Sequence, residues 1–164
     1  MPIICSLFIA ASLIAPQGDP APQSDPQKEP PMHHAHGTFT VDVHPIPPAP
    51  PEGLSRYSID KQIHGDLEAS TKGEMLSGGD PKHGAAGYVA MEMVTGTLKD
   101  AHDAVKHGSF ALQHSATMDQ RGPNMTVIVV PGSGTGDLKG IAGAFTIHID
   151  KGQHSYDFDY TLPD

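Results

Sequence analysis

Two ionisable residues interrupt otherwise apolar faces of predicted strands, and their types suit proton chemistry. Glu92 shares its face with Tyr88 and Val94, and His114 shares its face with Phe110. Burial would strip water from both groups, so each needs a polar partner. We expect burial to raise the pKa of Glu92, which suits general acid–base work, and a histidine can serve the same role. The competing and commoner interpretation is a structural polar group with satisfied hydrogen bonds.

A second set of candidates is a group of histidines near the start of the predicted domain. His33, His34 and His36 lie together and His44 follows. On a strand, His34 and His36 point the same way. No carboxylate or further ligand stands at a spacing diagnostic of a metal centre, so we predict no metal site here.

Two acidic residues share one face of the last predicted strand. Asp157 and Asp159 are two positions apart, so their side chains should lie about 7 Å from each other. That distance is too long for two carboxylates to share one proton. We therefore interpret them as solvent-facing residues.

A glycine-rich run, Gly132–Asp137 (GSGTGD), follows an apolar strand and invites a nucleotide-binding interpretation. A dinucleotide fingerprint would need glycine at Asp137, and a phosphate-binding loop would end in Lys followed by Ser or Thr. The next strand begins within about ten residues, which leaves no room for a crossover helix. We interpret the run as a tight turn and predict no cofactor.

The elements that must hold these residues are short strands with alternating apolar and polar residues, separated by turns rich in Gly, Asp and Pro. Short returns favour an antiparallel meander, and about eight strands make a barrel that packs full or holds one small ligand. We predict an all-β fold, a small eight-stranded antiparallel β-barrel, with a helical turn or two in 99–105 and in 137–142. The predicted strands are 34–43, 56–67, 69–76, 85–98, 109–118, 124–130, 144–150 and 154–162.

Two of these strands carry further information. The last strand places its aromatic residues on one side, and these complete our predicted ligand pocket. The stretch 124–130 is apolar on both faces, which favours cover on both sides, from a second subunit on the outside. The predicted pocket residues are Tyr88, Glu92, His114, Tyr156, Phe158 and Tyr160.

Composition limits the partners. The chain has 164 residues, one domain's worth, and a formal net charge of −9. An acidic surface without a basic stripe repels phosphate backbones, so we predict no nucleic-acid partner. The single cysteine, Cys5, lies in the N-terminal apolar run. If that run is removed, the mature chain can form no disulfide.

The N-terminal residues predict the cellular location of the protein. Residues 2–15 form an uncharged apolar run, too short to span a bilayer and of the length of a secretory signal, so we predict a signal peptide at 1–15. A Pro-rich polar linker should follow at 16–33, before a barrel domain at 34–164. The expected location is periplasmic or secreted, and cytoplasmic if the run is not a signal.

Five segments of the chain, in order, are SIDKQIHGDLEASTKGEML, GYVAMEMVTGTL, GSFALQHSATM, VIVVPGSGTGDLKGIAGAFTI and HSYDFDYTLP. Together they resemble domain-of-unknown-function family 3224, whose members are small bacterial proteins thought to share the barrel of plant allene oxide cyclases. The resemblance spans roughly 34–163 and implies an eight-stranded antiparallel barrel of allene-oxide-cyclase type with a cavity. It implies no settled activity.

Three functions remain open at the level of sequence. The leading hypothesis is an exported barrel that binds a small apolar or amphipathic molecule in its interior. The first alternative is an isomerase or cyclase in which His114 or Glu92 moves a proton. The second is a structural module that assembles as a homo-oligomer through 124–130.

Overall fold

A computed structural model describes residues 30–48, 50–100 and 104–163. The predicted signal peptide and most of the predicted linker lie outside these residues. No helix within the described part of the chain is long and apolar enough to cross a membrane.

Eight antiparallel strands close into one barrel, each paired with its neighbours in sequence and the last paired with the first. Closure pairs most of the edge that an open sheet would have to protect, except along the short join between the sixth and seventh strands. The strands are β1 (Met32–Pro45), β2 (Leu54–Gly65), β3 (Leu67–Asp80), β4 (Ala85–Lys99), β5 (Val105–Asp119), β6 (Gly122–Val129), β7 (Ala142–Asp150) and β8 (Gln153–Thr161).

The barrel predicted from the alternation is confirmed, and most strands run a few residues longer than predicted. A 3₁₀ turn at Gly136–Leu138 overlaps the start of the predicted 137–142 turn, and a second one, Pro81–His83, was not predicted. Asp80 caps it by accepting a hydrogen bond from the Lys82 amide at 3.0 Å. At the predicted turn at 99–105, β4 ends at Lys99 and β5 begins at Val105. Residues 101–103 lie outside the described residues.

One half of the barrel interior is packed solid with rings and aliphatic side chains. Phe158 is fully buried, and its ring stacks on those of Phe145 at 4.1 Å, Tyr160 at 5.0 Å and Phe110 at 5.8 Å between centroids. Offset stacking adds to the free energy already gained from burying these rings. This half, which we call the closed half, lies at the end where β4 runs into β5.

The glycine-rich run closes that end of the barrel. The Thr135 amide donates to the Ser109 carbonyl at 2.9 Å, and Asp137 Oδ2 accepts from the His107 amide at 3.0 Å. Gly136 has φ +58°, and a Cβ there would come within 2.5 Å of the His107 carbonyl oxygen. The side chains of this run hold the loop against β5, as expected of a structural turn.

The join between β6 and β7 is the narrowest in the wall. Only Val127 with Phe145 and Ile128 with Ala144 pair across it. Within β6, Val127 and Val129 face the interior and Ile128 faces outward, 37% exposed. Ile128 is therefore an apolar residue on the outer face of β6 that stays partly exposed in the single chain.

Candidate functional site

A layer of ionisable side chains crosses the middle of the barrel. Glu92 on β4 accepts a hydrogen bond from Lys61 Nζ on β2, with 2.7 Å between Nζ and Oε2. His114 Nε2 on β5 lies 3.0 Å from the same oxygen. This contact does not meet the geometry of a linear hydrogen bond. We call these three residues the ion layer.

Strand alternation explains why the ion layer faces inward. Lys61 lies between Ile59 and Ile63 on the inner face of β2, and it is only 8% exposed. Glu92 and His114 are 2% and 3% exposed. Charges so deeply buried persist only when they are paired.

The glycine opposite Glu92 leaves space for the Glu92 backbone and side chain. Gly73 on β3 lies directly opposite Glu92 in the register, and a Cβ there would come within 3.0 Å of the Glu92 Cα and Cβ and 2.6 Å of the Met91 carbonyl oxygen. Any larger residue at this position would push β3 away from β4.

The expected direction of the Glu92 pKa was wrong. Burial does act to raise it, but the contact with His114, the charge and hydrogen bond of Lys61, and the Thr71 hydroxyl outweigh burial and lower the pKa to about 2. Glu92 is therefore a carboxylate at neutral pH. Such a group is a weak base and a poor proton donor.

One oxygen of this carboxylate is a hydrogen-bond acceptor that no described group donates to. Glu92 Oε1 is fully buried and has no hydrogen-bond partner among the described residues. A buried charged oxygen without a donor is costly, so it marks a place for a water molecule or a ligand donor.

The other half of the barrel, the open half, contains a cavity instead of packed rings. Its volume is about 400 Å³, within the range of small-molecule pockets. It opens between the loops that join β1 to β2, β3 to β4 and β5 to β6. Apolar and aromatic side chains dominate its wall, and none of the described residues that line it is charged. The main ones are Tyr57, Met75, Tyr88, Ala116, Met118 and Met125.

Tyr88 links the cavity to the ion layer. It lies opposite Ala116 in the register, one inward position before the Ala90–His114 pair. Burial and the nearby negative charge of Glu92 raise the pKa of the Tyr88 hydroxyl. Tyr88 thus offers a neutral hydroxyl to the cavity, which can donate or accept a hydrogen bond.

The six predicted pocket residues fall into three places. Tyr88 lines the cavity, and Glu92 and His114 contact each other in the ion layer beneath it. Tyr156, Phe158 and Tyr160 lie in the closed half, each 2% exposed or less. Tyr156 is held there by its hydroxyl, which accepts from the Leu67 amide at 3.1 Å. Whether any of the six contacts a ligand stays a prediction.

Sequence reasoning missed Lys61 and the methionines of the cavity. A signal for Lys61 was present, since it interrupts the alternation of Ile59 and Ile63 much as Glu92 interrupts its own strand. The cavity methionines carry no comparable signal, because an alternating Met is equally compatible with a packed core.

One of the N-terminal histidines, His34, and a second histidine, His148, each contact a last-strand aspartate on the outer surface. His34 Nδ1 lies 2.5 Å from Asp159, and His148 Nε2 lies 2.8 Å from Asp157. Both aspartates are exposed, as predicted. Within the described residues, no group of three or more His, Cys, Asp or Glu side chains is arranged to hold a metal ion.

Fold and site together define a small closed antiparallel barrel with an open apolar cavity above a buried ion layer. A family model described as "Protein of unknown function (DUF3224)" matches residues 35–160. The chain belongs to this family, as the resemblance of its segments predicted.

A solved relative supports the same assignment. The chain is similar to a crystal structure, at 1.84 Å resolution, of a protein of unknown function from the DUF3224 family of Shewanella oneidensis MR-1. The two share 38% identity and a TM-score of 0.71, with 82% of this chain and 100% of that chain covered. No curated protein matches the chain.

Proposed function

We propose that the protein binds a small, uncharged, apolar or amphipathic molecule in the cavity of its open half. The observation that carries this proposal is an apolar cavity of about 400 Å³ in a barrel whose other half is filled. A void of this size costs packing energy that the same fold avoids at its other end.

The lining favours a neutral ligand. No charged side chain among the described residues contacts the cavity, so an ionic group would lose its hydration there without a partner. The hydroxyl groups of Tyr57 and Tyr88 supply a few polar contacts for orientation. Met75, Met118 and Met125 are flexible and polarisable, which suits ligands of varied shape.

Fluorescence titration with the neutral probe N-phenyl-1-naphthylamine tests the proposal. Ala116→Phe would fill the cavity from its floor, since Ala116 faces inward opposite Tyr88. Ala144→Phe places the same substitution on the exposed outer face of β7. We expect the first variant to weaken probe binding at least about tenfold and the second to leave it unchanged. Equal binding by both variants would place the probe elsewhere and refute the proposal.

Native mass spectrometry adds the identity of the ligand. The protein, purified without denaturation, is expected to carry a retained small molecule, and Ala116→Phe is expected to lose it. If neither the wild type nor Ala144→Phe carries one, the probe titration alone decides.

A second candidate function is an isomerase-like proton transfer at the ion layer. The observation that favours it is Glu92 Oε1, which has no partner among the described residues and lies in the layer beneath the cavity. The lowered pKa of Glu92 weighs against it, because a carboxylate of pKa about 2 abstracts protons poorly. Binding therefore ranks first.

Deuterium exchange separates the two functions. The molecule recovered from native protein is incubated in D₂O with wild type, Glu92→Gln or His114→Ala. An enzyme would remove a proton from a carbon of the ligand and return a deuteron, adding mass with the wild type only. A binder leaves the ligand unlabelled in every case.

We also propose that the chain is exported through its first 15 residues, with the Pro-rich stretch acting as a tether. This rests on the uncharged apolar run at 2–15 and the proline-rich composition that follows. The intact mass of protein recovered from cell fractions tests it. A cytoplasmic protein that retains the apolar run would overturn it.

A further inference from the structure

The outer surface of the barrel divides into a charged part and an uncharged part. On β2 and β3, outward side chains form ion pairs such as Arg56 with Glu74 and Lys72 with Asp60. On β4, β5 and β6, the outward positions within 87–97, 109–117 and 124–128 contain no Asp, Glu, Lys, Arg or His, and all of them are described. We call this surface the uncharged wall.

The middle of the uncharged wall is apolar. Val89, Met91 and Met93 follow one another along the outer face of β4 and are 57%, 50% and 46% exposed. Gln113 on β5 lies beside Met91 in the register, and Ile128 on β6 lies beside Gln113. An apolar centre with methionine, a neutral polar rim and no charge is the composition of an interface core.

We propose that the uncharged wall is a self-association surface, which packs against the same wall of a second copy of this chain. Each chain carries a formal net charge of −9, so two copies repel wherever their charged surfaces approach. Across the uncharged wall, two copies can approach closely without placing like charges together. A two-fold axis would set one ridge of Val89, Met91 and Met93 on another, as symmetric dimers require.

The area of the wall indicates the strength of this contact. Three strands spaced about 4.8 Å apart and eight residue steps of about 3.4 Å give a face of about 14 by 27 Å. Two such faces have a combined area of about 760 Å², below the usual area of specific interfaces and in the range of weak, transient ones. We therefore expect a weak dimer whose population depends on concentration in the micromolar range.

The uncharged wall differs in position from the oligomer contact that the sequence predicted. The sequence placed that contact on 124–130, where Ile128 faces outward but Val129 is buried. The uncharged wall keeps Ile128 at its edge and centres on β4. It does not depend on the proposed ligand binding.

Sedimentation velocity of the full chain tests the proposal. From about 1 to 300 μM, we expect the wild-type weight-average mass to rise from that of a monomer toward that of a dimer. Met91→Lys puts a charge at the centre of the wall and should stay monomeric throughout. Thr40→Lys, on the exposed outer face of β1, is the matched control and should associate like the wild type.

Methionine oxidation by hydrogen peroxide locates the contact. At high protein concentration, Met93 should oxidise at least about threefold more slowly, whereas Met32, which is 59% exposed, should oxidise at an unchanged rate. A monomeric wild type would overturn the proposal, and so would association that Met91→Lys leaves intact and that leaves Met93 unprotected. If Met91→Lys does not melt cooperatively, Gln113→Lys replaces it with the same expectations.

Discussion

The two halves of the barrel use the same backbone for opposite purposes. In the closed half, inward positions hold rings and branched aliphatic residues such as Phe110, Phe158 and Leu98, each 1% exposed or less. In the open half, the equivalent positions include Ala116, flexible methionines and two tyrosines around about 400 Å³ of space. A barrel of eight strands is wide enough for either outcome, so side-chain size decides which half is a core and which is a container.

The ion layer is the boundary between the halves. Lys61, Glu92 and His114 lie where the packed rings end and the cavity begins. A buried ion pair contributes little net stability compared with an apolar core, so its presence indicates a constraint other than stability. In this barrel the layer holds ionisable groups beneath the cavity without lining it.

The contrast between the two halves predicts the largest loss of stability for a truncation in the closed half. Phe158→Ala should lower the free energy of unfolding by about 3–5 kcal/mol, because it removes a fully buried ring that stacks on three others. Urea denaturation at neutral pH measures the loss. A change under about 1 kcal/mol would mean that this half is not the main core.

Acid should act on the boundary. The folded pKa of Glu92 is about 2, below its usual 4.5. The unfolded chain therefore binds a proton more readily, and stability is lost as the pH falls from about 4.5 toward 2. The contribution at neutral pH is on the order of 3 kcal/mol. Urea denaturation across this range measures it.

Glu92→Gln isolates this term from the other carboxyl groups. The variant should be less stable than the wild type at neutral pH, because Lys61 loses its charged partner in a buried position. The difference between the two proteins should shrink as the pH falls. A difference that stays constant down to pH about 2 would show that Glu92 does not hold a depressed pKa.

More of the fold than of the candidate site could be predicted from the sequence. Alternation and turn residues identified eight strands, because a closed barrel repeats one rule along every strand. Glu92 and His114 stood out for the same reason, as ionisable residues on apolar faces. The separation of Tyr88 from Tyr156 could not be predicted, because alternation says which side a residue faces and not its level along the barrel axis. That level depends on the pairing register, which the sequence alone left open.

Alkali should act on the closed half. Burial and the nearby charges of Asp66 and Glu68 raise the pKa of Tyr156 to about 12 from 10. The folded state therefore holds the phenol proton more tightly, and stability is lost as the pH rises from about 10 to 12. The loss is on the order of 2 kcal/mol in denaturation experiments. Tyr156→Phe should lack this dependence, and an unchanged alkaline profile in the variant would exclude Tyr156 as its source.

The smallest effect should come from a truncation in the open half. Met118 lines the cavity and is only partly buried, so Met118→Ala enlarges space that is already empty. It should lower the free energy of unfolding by less than about 1 kcal/mol, against several for Phe158→Ala. The same variant should still bind N-phenyl-1-naphthylamine, with affinity changed by less than about tenfold, since methionine walls adapt to their ligands. A loss as large as that of Phe158→Ala would mean that the open half is as tightly packed as the closed one, and the contrast between the halves would be wrong.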